Sequence, residues 1–184
     1  MDLTGKLIVA MPALGDPRFS RAVILVCAHS SKGAMGLIVN KPIPNLKFSD
    51  LLAQLNVPHF GPGRDIRIQF GGPVERGRGF VLHSPGYVGS QATTKVSPTY
   101  EMTGTLDVLE ALANGVGPTQ AIMLLGYSGW GPGQLEAEIA RNDWLTGEAS
   151  DPLIFGDHDL SKWGKALQTM GIDPVSLSSL SGRA

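Results

Sequence analysis

Apolar residues in this chain gather mostly in short unbroken runs bounded by turn-forming residues, and elsewhere recur at helical spacing. Positions 7–11 form one run, stopped by Pro12, and 22–28 form a second that is rich in β-branched residues; both predict buried strands. Gly15, Asp16 and Pro17 make the stretch between them a loop. Gly33-Ala34-Met35-Gly36 then turns the chain into a strand over 37–40, ended by Lys41-Pro42, so three strands precede any helix. Further strands are expected over 66–70, 79–84, 91–96 and 121–126. Ser49 is placed to cap a helix over 50–55, with Phe48 and Leu52 as a hydrophobic staple, and Thr105 to cap one over 106–113 that Asn114-Gly115 stops. A third helix is expected over 134–141. The last is the clearest: Asp159 as cap, Leu160, Trp163, Ala166, Leu167 and Met170 at helical spacing, and Gly171 as terminator. This order lacks regular βαβ alternation. It predicts an α+β fold, one domain over 1–172 in which about four helices surround a mixed or partly closed sheet, followed by a flexible tail over 173–184.

Charge narrows the partners. The net charge is −1 and only 17% of residues are charged, against about 25% in an average protein. No global field draws the chain to nucleic acid or to an anionic membrane. Arg64, Arg67, Arg76 and Arg78 make the one local basic cluster, which flanks strands and reads as a solvated face, so specific duplex binding is not expected. A single cysteine cannot form an internal disulfide, which points to a reducing cytoplasm, and the longest apolar run is too short to span a bilayer. Asp2 ahead of Lys6, with Pro12 closing the first apolar run, does not read as a signal peptide.

Candidate chemistry is sparse. His29, His59, His83 and His158 are far apart in sequence and lack helical i,i+3 or i,i+4 pairing, so neither a metal nor a cofactor is expected, and melting should not respond to a chelator. Cys27 lies inside an apolar run and reads as an inert core thiol. Gly126-Tyr127-Ser128-Gly129-Trp130 invites comparison with the G-x-S-x-G nucleophile elbow, but Trp130 stands where the second glycine belongs and no convincing Asp-then-His order follows. As a phosphate loop the segment lacks both glycine signatures, and Glu136 and Glu138 would repel an anion at the helix start. What remains is glycine density at 126, 129, 131 and 133 beside two amphipathic aromatics. This places a ligand or partner site at Tyr127, Trp130, Gln134 and Glu138, with His29, Asn40 and His83, all at strand ends, able to join its rim. The competing reading makes Trp130 a core plug and the glycines a means of bending. The two differ in the cost of Trp130→Ala: about 1–2 kcal/mol at a cleft, about 3–5 kcal/mol in a core.

Several blocks carry a family resemblance. Met11-Pro12 with Asp16-Pro17-x-Phe19-x-x-Arg21, then Gly33-Ala34-Met35-Gly36-Leu37-Ile38-Val39-Asn40-Lys41-Pro42, resembles the start of the bacterial YqgE/AlgH family. Gly71-Gly72-Pro73-Val74, Arg78-Gly79-Phe80-Val81-Leu82-His83, Asp107-Val108-Leu109 and the stretch from Gly126 through Trp144-Leu145 are similar to its later blocks, in order, so the likeness spans about 3–172. The resemblance implies a cytosolic α/β-type domain with no established reaction or cofactor. It also brings a label of transcriptional regulation in alginate production, which describes a pathway effect and supplies no DNA-reading element. Ser128 departs from the alanine usual in that slot, and 102–105 departs from the residues that usually precede Asp-Val-Leu. The expected role is a regulatory module that binds a small molecule or a protein. The alternatives are an enzyme using the 126–138 turn and, third, a DNA-binding regulator.

Overall fold

The two apolar runs become β1 (Lys6–Ala10) and β2 (Val23–Ser30), paired antiparallel in a computed structural model that describes residues 2–58, 60, 63–89 and 92–180. Along the chain follow β3 (Gly33–Ile38), α1 (Phe48–Gln54), β4 (Ile68–Phe70), β5 (Val74–His83), β6 (Thr93–Lys95), β7 (Glu101–Thr103) and α2 (Leu106–Ala113). Then come β8 (Ala121–Trp130), α3 (Gln134–Ala140), β9 (Trp144–Glu148), α4 (Asp151–Ile154), α5 (Asp159–Thr169) and α6 (Pro174–Leu180). The strands lie in the order β6-β7-β5-β8-β3-β2-β1-β9, with β4 on β8 as the one parallel pairing among the described residues. The α+β expectation stands, with the weight on the sheet: nine strands and six short helices among the described residues rather than four helices around a sheet. Gln91, where one strand was expected to begin, and His59 lie outside the described residues. The stretch 173–184, expected as a tail, carries α6 as far as Leu180.

Period-2 alternation explains why the strand signal is an unbroken apolar run. Leu7, Val9, Val23, Leu25, Cys27, Leu37, Phe80, Leu82, Ile122 and Leu124 project to one face and pack with Leu153 and Ile154 of α4 and Trp163, Ala166 and Leu167 of α5. Ile8, Ala10, Ala22, Ile24, Val26 and Ile38 project to the other, against Trp130, Leu135 of α3 and Trp144. Farther along the sheet, Ile68, Val81 and Met123 bury against α1 and α2. Strands covered on both faces have no polar side to show. Cys27 belongs to this core, and burial pushes its thiol up to about 12. It should therefore stay unreactive towards a disulfide-exchange reagent at mildly alkaline pH and react only once denaturant has unfolded the chain. Reaction at a rate typical of a free thiol in the native protein would contradict the packing.

Two local expectations are corrected. α1 starts at Phe48, with Lys47 rather than Ser49 at the cap, and the Asp50 carboxylate accepts from the Lys47 N–H (3.1 Å). On α5 the apolar stripe is shifted: Leu160 is 95% exposed, while Lys162 is 1% exposed and Asp159 is buried. Positions 159, 162, 163, 166 and 167 share one helical face, so a charged pair occupies the first turn of the core stripe where the hydrophobic reading looked for Leu160.

Candidate functional site

The glycine-rich segment is a strand. β8 runs through Tyr127 to Trp130, pairing Ser128, Gly129 and Trp130 with Gly36, Met35 and Ala34 of β3. Gly126 sits where the neighbour on that side changes from β4 to β3. Its φ of 73° is left-handed, and a Cβ there would stand 2.4 Å from the Gly72 carbonyl oxygen. Ser128 is fully buried and its hydroxyl has no partner among the described residues, which removes it from any elbow.

Tyr127 packs edge-on to Phe80 on the α5 side of the sheet, whereas Trp130 belongs to the opposite core, 7% exposed and 5.9 Å from the Trp144 ring. The two aromatics therefore do not border one cleft. Glu138, expected to line one, is turned inward: its Oε2 accepts from both indole N–H groups, Trp130 Nε1 and Trp144 Nε1, each at 2.8 Å. Gln134 completes the chain, donating to Glu138 Oε1 (2.9 Å) and accepting from the Gly131 N–H (3.0 Å). Of the strand-end residues, His29 does arrive here. The Leu3 N–H donates to its Nδ1 (3.2 Å), which leaves Nε2 to donate to Glu136 Oε1 on α3 (2.9 Å). His83 does not. It pairs with Ala121 at the far end of β8, nine residues from Trp130, roughly 30 Å along a strand. There it is fully buried, bonded to the Ser84 carbonyl and the Thr103 hydroxyl.

Asn40 is carried to a different place, buried against the backbone of a residue that lines an open cleft. A cleft of about 820 Å³ lies between the β1–β2 connection and α5, walled by Met11, Pro12, Pro17, Arg21, Trp163 and Lys165, with Pro174 of α6 at its margin. The connection is shaped by its own turn chemistry: two 3₁₀ turns each begin with proline, and Asp16 accepts from the Arg18 N–H (2.9 Å) while its carboxylate takes the Arg18 guanidinium (2.7 Å). The connection ends on Arg21, whose φ of 52° is left-handed. Three of the five described non-glycine residues with positive φ are asparagines, which tolerate it. Arginine does not, at a cost on the order of 1–3 kcal/mol.

The conformation is held from β3. Buried Asn40 donates to the Arg21 carbonyl (2.8 Å) and accepts from the Val23 N–H (2.8 Å), and Lys41 Nζ donates to the Ser20 carbonyl (2.9 Å). So fixed, Arg21 lays its guanidinium 5.3 Å from the Trp163 ring centre, on the cleft wall. Trp163 is itself anchored, its Nε1 donating to the Ala10 carbonyl (2.8 Å). Replacing Asn40 with Ala orphans the buried Val23 donor and frees Arg21, and should lower stability by about 1–3 kcal/mol in denaturant unfolding. No loss of stability would show that the clamp is idle. Arg21 was visible in the sequence only as part of the resemblance. A sharper cue is the pairing of the proline-rich β1–β2 connection with an asparagine just past the end of β3.

A second polar cluster went unread in the sequence. Asp159 accepts from Arg67 NH1 (3.0 Å), Gln69 Nε2 (3.0 Å) and Lys162 Nζ (3.0 Å), and Lys162 also donates to the carbonyls of Val39 (2.9 Å) and Ile154 (3.2 Å). Burial alone would raise the Asp159 carboxyl. The donated hydrogen bonds and the two cations outweigh it and hold the group below the usual carboxylate range. On Lys162 burial, with the nearby Arg67 charge, outweighs the Asp159 carboxylate and lowers the ammonium. With every donor engaged, this lysine ties α5 to the end of β3 and to α4; it is not a reagent. The expected basic cluster is dispersed as well. Arg64 donates to the Pro118 and Thr119 carbonyls, Arg67 belongs to Asp159, and Arg76 and Arg78 lie over Phe70 and Phe80. Among the described residues no group of three or more His, Cys, Asp or Glu is placed to hold a metal, and no helix is long and apolar enough to cross a membrane.

Comparison with known proteins places this geometry. The model of the AlgH-like family (DUF179) matches residues 7–175. A UPF0301 protein of Cereibacter sphaeroides is 60% identical over the full length of both chains, and one of Ruegeria pomeroyi is 54% identical, again over both full lengths. The solution structure of the AlgH protein from Pseudomonas aeruginosa is similar with a TM-score of 0.80 at 37% identity, covering 100% of this chain and 95% of that one. A Corynebacterium diphtheriae protein, DIP2367, shares the fold at TM-score 0.72 and 20% identity, over 98% of this chain and 92% of its own.

Proposed function

The chain belongs to the AlgH-like family, and from that premise we propose that it is a regulatory module that binds a small molecule in the cleft between the β1–β2 connection and α5. The observation that carries this reading is Arg21: a strained, left-handed arginine held by a buried asparagine with its side chain on the wall of the cleft of about 820 Å³. Strain kept in place by dedicated hydrogen bonds is characteristic of sites where a side chain must be aimed. Binding fits this wall better than catalysis. Ser161 Oγ donates to its own helix at the His158 carbonyl (2.9 Å), and the Asp16 carboxylate is closed by Arg18, so neither is poised against a reacting group.

The test is a thermal-shift screen of a small-molecule library against wild type and Gln168→Trp. Position 168 is exposed on α5 and lines the cleft, so the indole fills space without removing a buried contact. Compounds that raise the wild-type melting temperature should fail on the variant, whose own melting temperature should be close to wild type. Hits that stabilise both proteins equally would place binding elsewhere.

A further inference from the structure

Charges on the cleft wall do not balance. Of its three charged side chains, Asp16 is neutralised by Arg18, with contacts from Nε (3.0 and 3.1 Å) and NH2 (2.7 Å). Arg21 and Lys165 are left as two cations that meet no carboxylate among the described residues. The way Arg21 is held adds to this. Its guanidinium carbon lies 5.3 Å from the Trp163 ring centre, and its N–H donors have no hydrogen-bond partner among the described residues. Trp163 contributes no competing donor, since its one N–H is committed to the Ala10 carbonyl. Pro12, Leu14 and Pro17 give the wall apolar surface beside the polar Ser20, Ser161 and Gln168, and Trp163 adds the 7% of itself that is exposed.

Resting on the cleft reading above, we infer that the ligand is a small organic anion. Its carboxylate or phosphate is received by Arg21, with Lys165 as a second positive charge, and its apolar body lies against Pro12, Leu14 and Pro17, next to the exposed part of Trp163. A planar fork of donors matches the oxygens of either group in a bidentate way that an ammonium cannot. Conversely, a neutral occupant would gain nothing from the two exposed cations, and a cationic one would be repelled.

Phenyl phosphate, benzoate, benzyl alcohol, benzylamine and inorganic phosphate, titrated separately into the ¹⁵N-labelled full chain and followed by NMR, separate these terms. The two aromatic anions should move the Arg21 and Trp163 signals and bind roughly tenfold or more tighter than benzyl alcohol, because a hydrogen bond to a charged group is worth about that much. Benzylamine should not bind, and inorganic phosphate should bind more weakly than phenyl phosphate, which has the apolar body. Whichever of phenyl phosphate and benzoate binds tighter identifies the headgroup. Arg21→Asn keeps a residue that tolerates the left-handed backbone and removes the fork; it should weaken phenyl phosphate roughly tenfold to a hundredfold. Lys165→Gln, at an exposed helix position, should weaken it several-fold. Benzyl alcohol binding in the cleft as tightly as the anions, or anion affinity unchanged in both variants, overturns the anionic class and leaves the cleft reading standing. Failure of all five probes to move any cleft signal at millimolar concentration overturns both.

Discussion

Asp159→Asn should destabilise the protein by about 3–5 kcal/mol in denaturant unfolding, the cost of removing one partner from a buried ion pair. Lys162 is almost wholly inaccessible and would lose the carboxylate that most favours its charged form, with two carbonyls left as its partners. Replacing both partners with apolar residues, as in Asp159→Leu with Lys162→Met, should recover much of that loss, since a well-packed apolar pair is often no worse than the ions it replaces. Acid gives an independent readout. The carboxyl ionises more readily folded than unfolded, so its contribution is complete above its ordinary value of 3.8 and is lost as the pH falls through the lower folded value. Wild-type stability should thus fall steeply below about pH 4, and Asp159→Asn should lack that part of the fall. A loss under 1 kcal/mol, with an unchanged acid profile, would show that the network contributes nothing.

The second large effect is at Trp130. Its ring fills the core between Ile24, Ile38, Leu135 and Trp144, and its N–H shares Glu138 Oε2 with Trp144. Trp130→Ala should therefore cost about 3–5 kcal/mol, the range for deleting a core aromatic, and not the 1–2 kcal/mol of a cleft residue. Glu138→Gln provides the contrast. An amide oxygen can still accept from both indoles, so its cost should be well below that of Glu138→Ala, which orphans two largely buried donors. Near-neutral Trp130→Ala would restore the open-site reading of the 126–138 segment.

How far the sequence could be read depended on whether a residue's environment was local. The runs at 7–11 and 22–28 report β1 and β2 directly, because both faces of those strands are buried. By contrast, β9 reads Trp-Leu-Thr-Gly-Glu and owes its existence to pairing with β1 more than a hundred residues away. The glycines of 126–133 read equally as a turn; only the neighbours of Gly126 reveal a strand passing from β4 to β3. On α5, apolar spacing marked the helix but chose Leu160, since nothing in the local pattern says that Asp159 and Lys162 will find Arg67, Gln69 and two carbonyls from elsewhere in the chain. The candidate site suffered most. Tyr127, Trp130, Gln134, Glu138 and His29 were grouped by residue type; the fold splits Tyr127 from Trp130 across the sheet and turns Glu138 inward. Asn40 stands out in the sequence for its place at a strand end, but its role depends on Arg21, which reaches it from the β1–β2 connection.

The three tryptophans divide the two candidate regions: Trp163 lines the cleft, while Trp130 and Trp144 share Glu138. Incorporating 5-fluorotryptophan gives one ¹⁹F resonance for each, assignable by single Trp→Phe variants. On titration with phenyl phosphate the Trp163 resonance should shift and saturate while the other two stay in place. A saturating shift of Trp130 or Trp144 with Trp163 unmoved would put the binding site at α3 and contradict the account.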